Sequence, residues 1–182
     1  MTPKFSINAL LLVASVTLTS NFAMGEDFPK RKAGLWELTT TSDDGGSPQV
    51  MQNCVDDKTE DWLKEVSMGM GKQMCSKHEI KKTSNGYETS VECAVMGMKV
   101  AGSSVVSGDF QNSYTIVSKS KFTPAMMGKS ESTSNIEAKY LGACKAVQKP
   151  GDMIFPDGKK MNMEMLKGVA DAMNKELQKL GK

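Results

Sequence analysis

The sequence predicts a mainly β domain of the α+β class: a curved antiparallel meander or partly open barrel, disulfide-stapled, with a short helix and a C-terminal helix. Three observations predict it. Between residues 34 and 140, short runs rich in Thr, Val, Ile and Tyr are separated by Gly, Asn, Asp and Pro clusters. Four cysteines, Cys54, Cys75, Cys93 and Cys144, form an even set in a chain that reads as exported. Met163, Leu166, Ala170, Met173, Leu177 and Leu180 recur at alternating three- and four-residue steps, a narrow helical stripe.

The N-terminal region carries the export reading. Lys4 is a positive n-region, Ile7 to Leu18 an apolar h-region, and Ala23-Met24-Gly25 offers small residues before Glu26. The apolar run is shorter than the roughly 20 residues of a spanning helix. No cysteine follows it to accept a lipid. The expectation is a signal peptide over 1–25, a β-rich exported domain over 26–153, and a linker with an amphipathic helix over 154–182. The compartment is then the oxidising periplasm.

Within that domain, Gly34 to Thr41 reads as a strand with Trp36 and Leu38 on one face. The cluster Ser42 to Pro48 turns the chain into a second strand, Gln49 to Val55. Asp56, Asp57 and Glu60 supply cap and first-turn acids for a short helix bearing Trp62, Leu63 and Val66. Met68-Gly69-Met70-Gly71 is expected to end it. Cys75–Lys82 and Tyr87–Val95 then make a hairpin about Asn85-Gly86. Val100–Ser107, Phe110–Phe122 and Glu131–Tyr140 complete the meander, with Thr123-Pro124 and Gly128 expected to break the strand between the last two. A twisted antiparallel sheet of this size curls. Pro150-Gly151-Asp152 and Pro156-Asp157-Gly158 read as an irregular linker.

The disulfide pairing favoured from position is Cys54–Cys75, tying the helical excursion to the sheet, and Cys93–Cys144, tying the middle of the sheet to its end. No Cys-x-x-Cys pair points to zinc. Trp36, Trp62 and Tyr114 read as structural.

Several stretches in this order resemble a known family. They are Gly34-Leu35-Trp36-Glu37, Cys54, Val91-Glu92-Cys93, Gly108-Asp109-Phe110 before Tyr114, and Tyr140-Leu141-Gly142-Ala143-Cys144 followed by Lys149-Pro150-Gly151-Asp152. Together they resemble a bacterial exported family, the domain of unknown function numbered thirty-six seventeen, over roughly residues 32–153. The resemblance implies an exported β-rich domain and brings no catalytic residues.

Composition excludes more than it assigns. The net charge of +2 is spread over interspersed acids and bases, with no basic stripe for nucleic acid. His78 is the single histidine. It stands among Lys77, Glu79 and Lys81 on a strand, with no Gly-x-Ser-x-Gly elbow elsewhere in the chain, so no catalytic residues are expected. The expectation is a non-enzymatic binding or interaction module, its partner an envelope protein or a small ligand, with no cofactor required. Two alternatives follow from the residues. One is Cu(I) bound by thioethers among 15 methionines, with Met74, His78, Met96 and Met98 as candidate ligands. The other is a carrier of a small lipophilic molecule within the curved sheet.

Overall fold

The computed structural model describes residues 28–95 and 97–168. The expected signal segment, Met96 and the C-terminal stripe after residue 168 lie outside the described residues. Among the described residues, nine strands form one antiparallel sheet. They are β1 (Gly34–Ser42), β2 (Gln49–Val55), β3 (Cys75–Thr83), β4 (Gly86–Val95), β5 (Met98–Gly108), β6 (Ser113–Met126), β7 (Lys129–Gly142), β8 (Asp152–Ile154) and β9 (Lys160–Asn162). Their order is β3-β4-β5-β6-β7-β1-β2-β8-β9, so the sheet is open, with β3 and β9 at its edges. The helix α1 (Asp57–Met74) joins β2 to β3.

That connection imposes curvature. Six strand spacings separate β2 from β3, about 29 Å across a flat sheet before any displacement along the strands is added. The 18 residues of α1 reach only about 27 Å. The helix therefore closes as a chord over a sheet curled beneath it.

Its two ends explain its length. Asp56 caps the start: its carboxylate accepts from Thr59 N–H at 2.8 Å, while Thr59 Oγ1 accepts from Asp56 N–H at 2.8 Å. The helix then runs through Gly69 and Gly71, where the sequence predicted its end. A Cβ at Gly71 would stand 3.4 Å from the His78 ring, an ordinary van der Waals contact, so this last part of α1 lies against β3. The extended backbone of Cys75, already pairing with β4, is what stops it.

Three further expectations are corrected. The first strand after Gly108 starts at Ser113, because Asp109 accepts hydrogen bonds from the N–H groups of Gln111, Asn112 and Ser113 and holds Phe110 in a turn. Thr123-Pro124 does not end β6; the strand continues to Met126 through a register shift against β7. Residues 150–162 are not an irregular linker, because β8 and β9 form a small hairpin on β2. Asp152 anchors it, 1 % exposed. Its carboxylate accepts from Lys149 N–H at 2.8 Å and Asn162 Nδ2 at 2.7 Å and pairs with Lys160 at 2.7 Å.

The core gathers at one end of the sheet. Trp36, Val55, Val106, Phe110, Tyr114 and Ala138 are buried, flanked by Leu38, Tyr87, Ile116 and Tyr140. Phe110 stacks on Tyr114 at 4.9 Å, and Trp36 meets Tyr114 and Tyr140 at 5.5 and 5.6 Å. Trp36 Nε1 donates to the Lys32 carbonyl at 2.8 Å, satisfying the one polar atom of a fully buried indole.

Candidate functional site

Strand register sorts the residues of β3 to β7 and β1 into two faces. Along β5, the alternate residues Met98, Val100, Gly102 and Ser104 are half-buried and Val106 is buried, whereas Lys99, Ala101, Ser103 and Val105 are exposed. The same alternation runs along β6, where Tyr114 is buried, Ile116, Ser118, Ser120 and Phe122 are half-buried, and Val117, Lys119 and Lys121 are exposed. His78, which Gly71 of α1 approaches, pairs with Val91 and so lies on the same side of the sheet as the half-buried set, although it is itself exposed at the edge strand β3. The sheltered face is thus the one the helix crosses.

That inner face is banded. Tyr87, Val106, Ile116, Ile136 and Thr40 make one cross-strand row, continuous with the aromatic core. The next row is all hydroxyl: Thr89, Ser104, Ser118, Ser134 and Ser42, aligned across β4, β5, β6, β7 and β1. Ser104 Oγ and Ser118 Oγ are 2.9 Å apart, hydrogen-bonded to each other. Then come Val91, Gly102, Ser120 and Ser132, and beyond them Cys93, Val100 and Phe122. A Cβ at Gly102 would stand 3.1 Å from Val91 Cγ2, so glycine keeps that row low.

The two ends of this face differ in chemistry. The aromatic cluster closes the end where α1 begins. The turns at the opposite end carry methionines: Met98 opens β5, Met126 and the nearly fully exposed Met127 form the β6–β7 turn, and Met74 closes α1. Sequence reasoning placed Met74 and His78 on one face of a strand. The structure instead makes Met74 the last helical residue, while His78 is exposed on β3. Met96 lies outside the described residues. Among the described residues, no three His, Cys, Asp or Glu side chains cluster as a metal site.

The disulfides are Cys54–Cys144 and Cys75–Cys93, not the pairing favoured from the sequence. The reason is register. Cys75 directly opposes Cys93 across β3 and β4. Cys54 opposes Leu35, whose other neighbour Gly142 places Cys144 within reach. Cys75–Cys93 fastens the end of α1 to the sheet. Its start is fastened by Arg31, whose guanidinium meets Glu60, and by Lys30, which pairs with Asp61 at 2.8 Å. Burial opposes the Arg31 charge, yet the hydrogen bond to Glu60 leaves its pKa above the ordinary value. Burial likewise pushes the Tyr114 phenol upward, against the pull of Arg31.

The surface depressions draw on residues of both faces, and the row Val91, Gly102, Ser120 and Ser132 contributes to one of them. Two shallow depressions of about 390 Å³ share Glu92, Ala101 and Lys121 and include exposed outer-face lysines and glutamates. A smaller one of about 180 Å³ lies between Lys58, Thr59 and Trp62 of α1 and Met163, Glu164 and Lys167 of the helical residues 163–168.

The motif residues that order the chain find structural roles. Gly34 has φ +139°, and a Cβ there would sit 2.3 Å from the Gly142 carbonyl. Asp109 is held well below the usual carboxylate range by the Asn112 N–H first, then by its side-chain amide and the N–H groups of Gln111 and Ser113. A family model described as Protein of unknown function (DUF3617) matches residues 31–144, from the ion-paired arginine to the second cysteine of the long disulfide. The chain belongs to this family. The resemblance read from Gly34-Leu35-Trp36-Glu37 and the cysteines is borne out, and the DUF3617 segment spans β1 to β7 with α1. No curated protein and no solved structure matches the chain. Among the described residues no helix is long and apolar enough to cross a membrane, and the two disulfides fit an oxidising compartment.

Proposed function

We propose that this DUF3617 chain is a non-enzymatic periplasmic binding protein that holds a small lipophilic molecule between α1 and the inner face of the sheet. One observation carries the reading. The inner face stays only half-buried away from the aromatic cluster, with aliphatic and small side chains in register across β4 to β7, while a helix fastened at both ends spans it. An apolar surface left open under a fixed strap is a binding cleft in form. The methionines at the far turns suit its mouth, since thioether chains adapt to irregular apolar ligands. The structural roles of Gly34, Trp36, Asp109 and the cysteines account for the family's motif residues without chemistry, which supports a binding role.

The test is fluorescence of N-phenyl-1-naphthylamine added to the oxidised protein. Enhancement that saturates near one probe per chain, and weakens at least fivefold in Gly102→Leu, is expected; a leucine there fills the cleft floor beside Val91. No enhancement with the wild-type chain would refute the reading.

A second reading is Cu(I) binding at the mouth, where Met74, Met98, Met126 and Met127 come to the same end of the sheet. Thioethers suit Cu(I). Competition with bicinchoninate tests it: copper retained by the wild-type chain should be lost in Met74→Leu/Met98→Leu.

A further inference from the structure

The β6–β7 hairpin overhangs the methionine end of the sheet. On one side β1 ends at Ser42, opposite Ser134, and Asp43 bonds once more to Thr133, its N–H donating to the Thr133 carbonyl at 3.1 Å. Residues 129–132 of β7 continue beyond that contact, about 13 Å of extended chain. On the other side β5 begins at Met98 and reaches Thr123 through Lys99. From Thr123 to Glu131 every residue is exposed. The tip is apolar where a polar residue fits better. Met126 pairs with Lys129 across a two-residue turn, Met127-Gly128, with φ of +50° and +82°. A hairpin turn with positive φ at both central positions favours Asn-Gly, and methionine is an uncommon occupant of that region. Met127 is nevertheless 98 % exposed and Met126 43 % exposed, after exposed Pro124 and Ala125. A large apolar side chain in a disfavoured conformation, with almost no surface packed, adds nothing to the stability of the fold. A contact outside the fold accounts for it.

Charge tells what the tip meets. Among the described residues of the overhang and its β5 flank, Lys99, Lys121 and Lys129 stand against one acid, Glu131, which Lys121 pairs at 3.6 Å. Asp43 and Asp44 lie behind, at the β1–β2 turn, with Lys129 in electrostatic reach of Asp44. Both of those carboxylates are engaged, Asp43 by the Thr133 N–H and Asp44 by Ser42 Oγ and the Gly46 N–H. We propose that the β6–β7 hairpin is a membrane-surface anchor: Met126 and Met127 enter the interface of an anionic phospholipid bilayer, while Lys99 and Lys129 meet its phosphates. Thioether chains adapt to a fluid apolar phase that offers no shaped pocket. Lysine stems lie along apolar surface while their ammonium groups stay at the head groups. An interfacial segment sits about 5–10 Å deep, within the overhang, so the tip inserts without the rest of the sheet following. The anchor needs no ligand in the cleft and stands independently of the binding reading above.

The test is co-sedimentation of the disulfide-bonded chain, as recovered after export, with vesicles of phosphatidylcholine alone or mixed in equal parts with phosphatidylglycerol. Bicinchoninate is present throughout, so that copper held by the methionines plays no part. The wild-type chain should bind the mixed vesicles about tenfold or more tightly than the neutral ones, and the difference should shrink as salt is raised. Met126→Ser/Met127→Asn should weaken binding to the mixed vesicles about tenfold or more, the scale of two apolar side chains withdrawn from the interface. Met127→Asn alone should weaken it less while unfolding in urea no earlier than wild type, because asparagine suits the turn; this separates a lost anchor from a lost fold. Lys99→Gln/Lys129→Gln should remove most of the preference for the mixed vesicles. Absence of wild-type binding to the mixed vesicles overturns the inference, as does equal binding by the wild-type chain and the tip variant. Binding that survives the tip variant and is lost instead in Leu177→Ser/Leu180→Ser assigns it to the C-terminal stripe and overturns the inference as well.

Discussion

Arg31 and Glu60 form an ion pair with only 9 % and 11 % of their side chains exposed. Glu60 Oε1 accepts from Arg31 Nε at 3.0 Å and Nη2 at 2.6 Å, and Oε2 accepts from the Arg31 backbone N–H at 3.1 Å. The pair ties the segment before β1 to the first turn of α1. Breaking it from one side strands a buried charge. Arg31→Met is expected to lower unfolding free energy by about 3–5 kcal/mol, and Arg31→Met/Glu60→Leu to recover much of that loss. Urea unfolding measures both; a single-variant loss under 1 kcal/mol would contradict the anchor.

The two disulfides close loops of different size, with sequence separations of 90 and 18. In the chain-entropy model removal costs about 4.6 kcal/mol for the first and about 3.2 kcal/mol for the second. Cys54→Ala/Cys144→Ala should therefore melt lower than Cys75→Ala/Cys93→Ala. The second variant should instead speed hydrogen exchange at the end of α1. Non-reducing peptide mapping checks the pairing directly: a peptide joining Cys54 to Cys75 would refute it.

Asp152 sets an acid limit on the β8–β9 hairpin. Burial pushes its pKa up, but Asn162, Lys160 and the Lys149 N–H outweigh that and leave it below the ordinary carboxylate value. A depressed folded pKa stabilises above the unfolded pKa of about 3.9, and the contribution is lost as pH falls through the folded value. Asp152→Asn should cost about 2 kcal/mol at pH 7 and flatten the stability profile below pH 4. Chemical unfolding across pH 2–7 gives the slope; an unchanged slope would exclude the carboxylate as its source.

Gly34 occupies a backbone region closed to side chains, with the Gly142 carbonyl where a Cβ would go. Gly34→Ala should cost about 2–4 kcal/mol, combining backbone strain and displacement of β7. Gly45→Ala, in an exposed turn with nothing within 4 Å of its Cβ, carries only the positive-φ penalty and should cost about 1 kcal/mol. Equal losses at the two glycines would argue against the close approach.

Much of the fold was legible because strand and hairpin signals are local. Asn85-Gly86 sits at the turn between β3 and β4, and the runs around Val91, Val105 and Ile116 became strands. The errors fall where a distant contact overrides a local signal. Gly69 and Gly71 look like a helix stop, yet α1 continues because it must reach β3. Pro124 looks like a strand end, yet Thr123 still pairs with Lys99 of β5.

The candidate site was less legible. Ser42, Thr89, Ser104, Ser118 and Ser134 share no spacing or motif in the chain. They form a stripe only through the register of four separate strand pairs, and a one-residue slip in any of them would scatter it. The methionines showed the reverse pattern. Their number was plain in the sequence, but their gathering at one end follows from antiparallel connections that bring the β4–β5 turn, the β6–β7 turn and the end of α1 together.

By itself the sequence determined the mainly β antiparallel class, the family, the hairpin at Asn85-Gly86 and the structural weight of Trp36 and the cysteines. Each is written in alternation, turn chemistry or residue type over a few neighbouring positions. Only the tertiary structure decided which cysteines pair, how far α1 runs, and which face of the sheet is sheltered beneath it. Those depend on register and chain reach between residues far apart in sequence, and no local pattern encodes them.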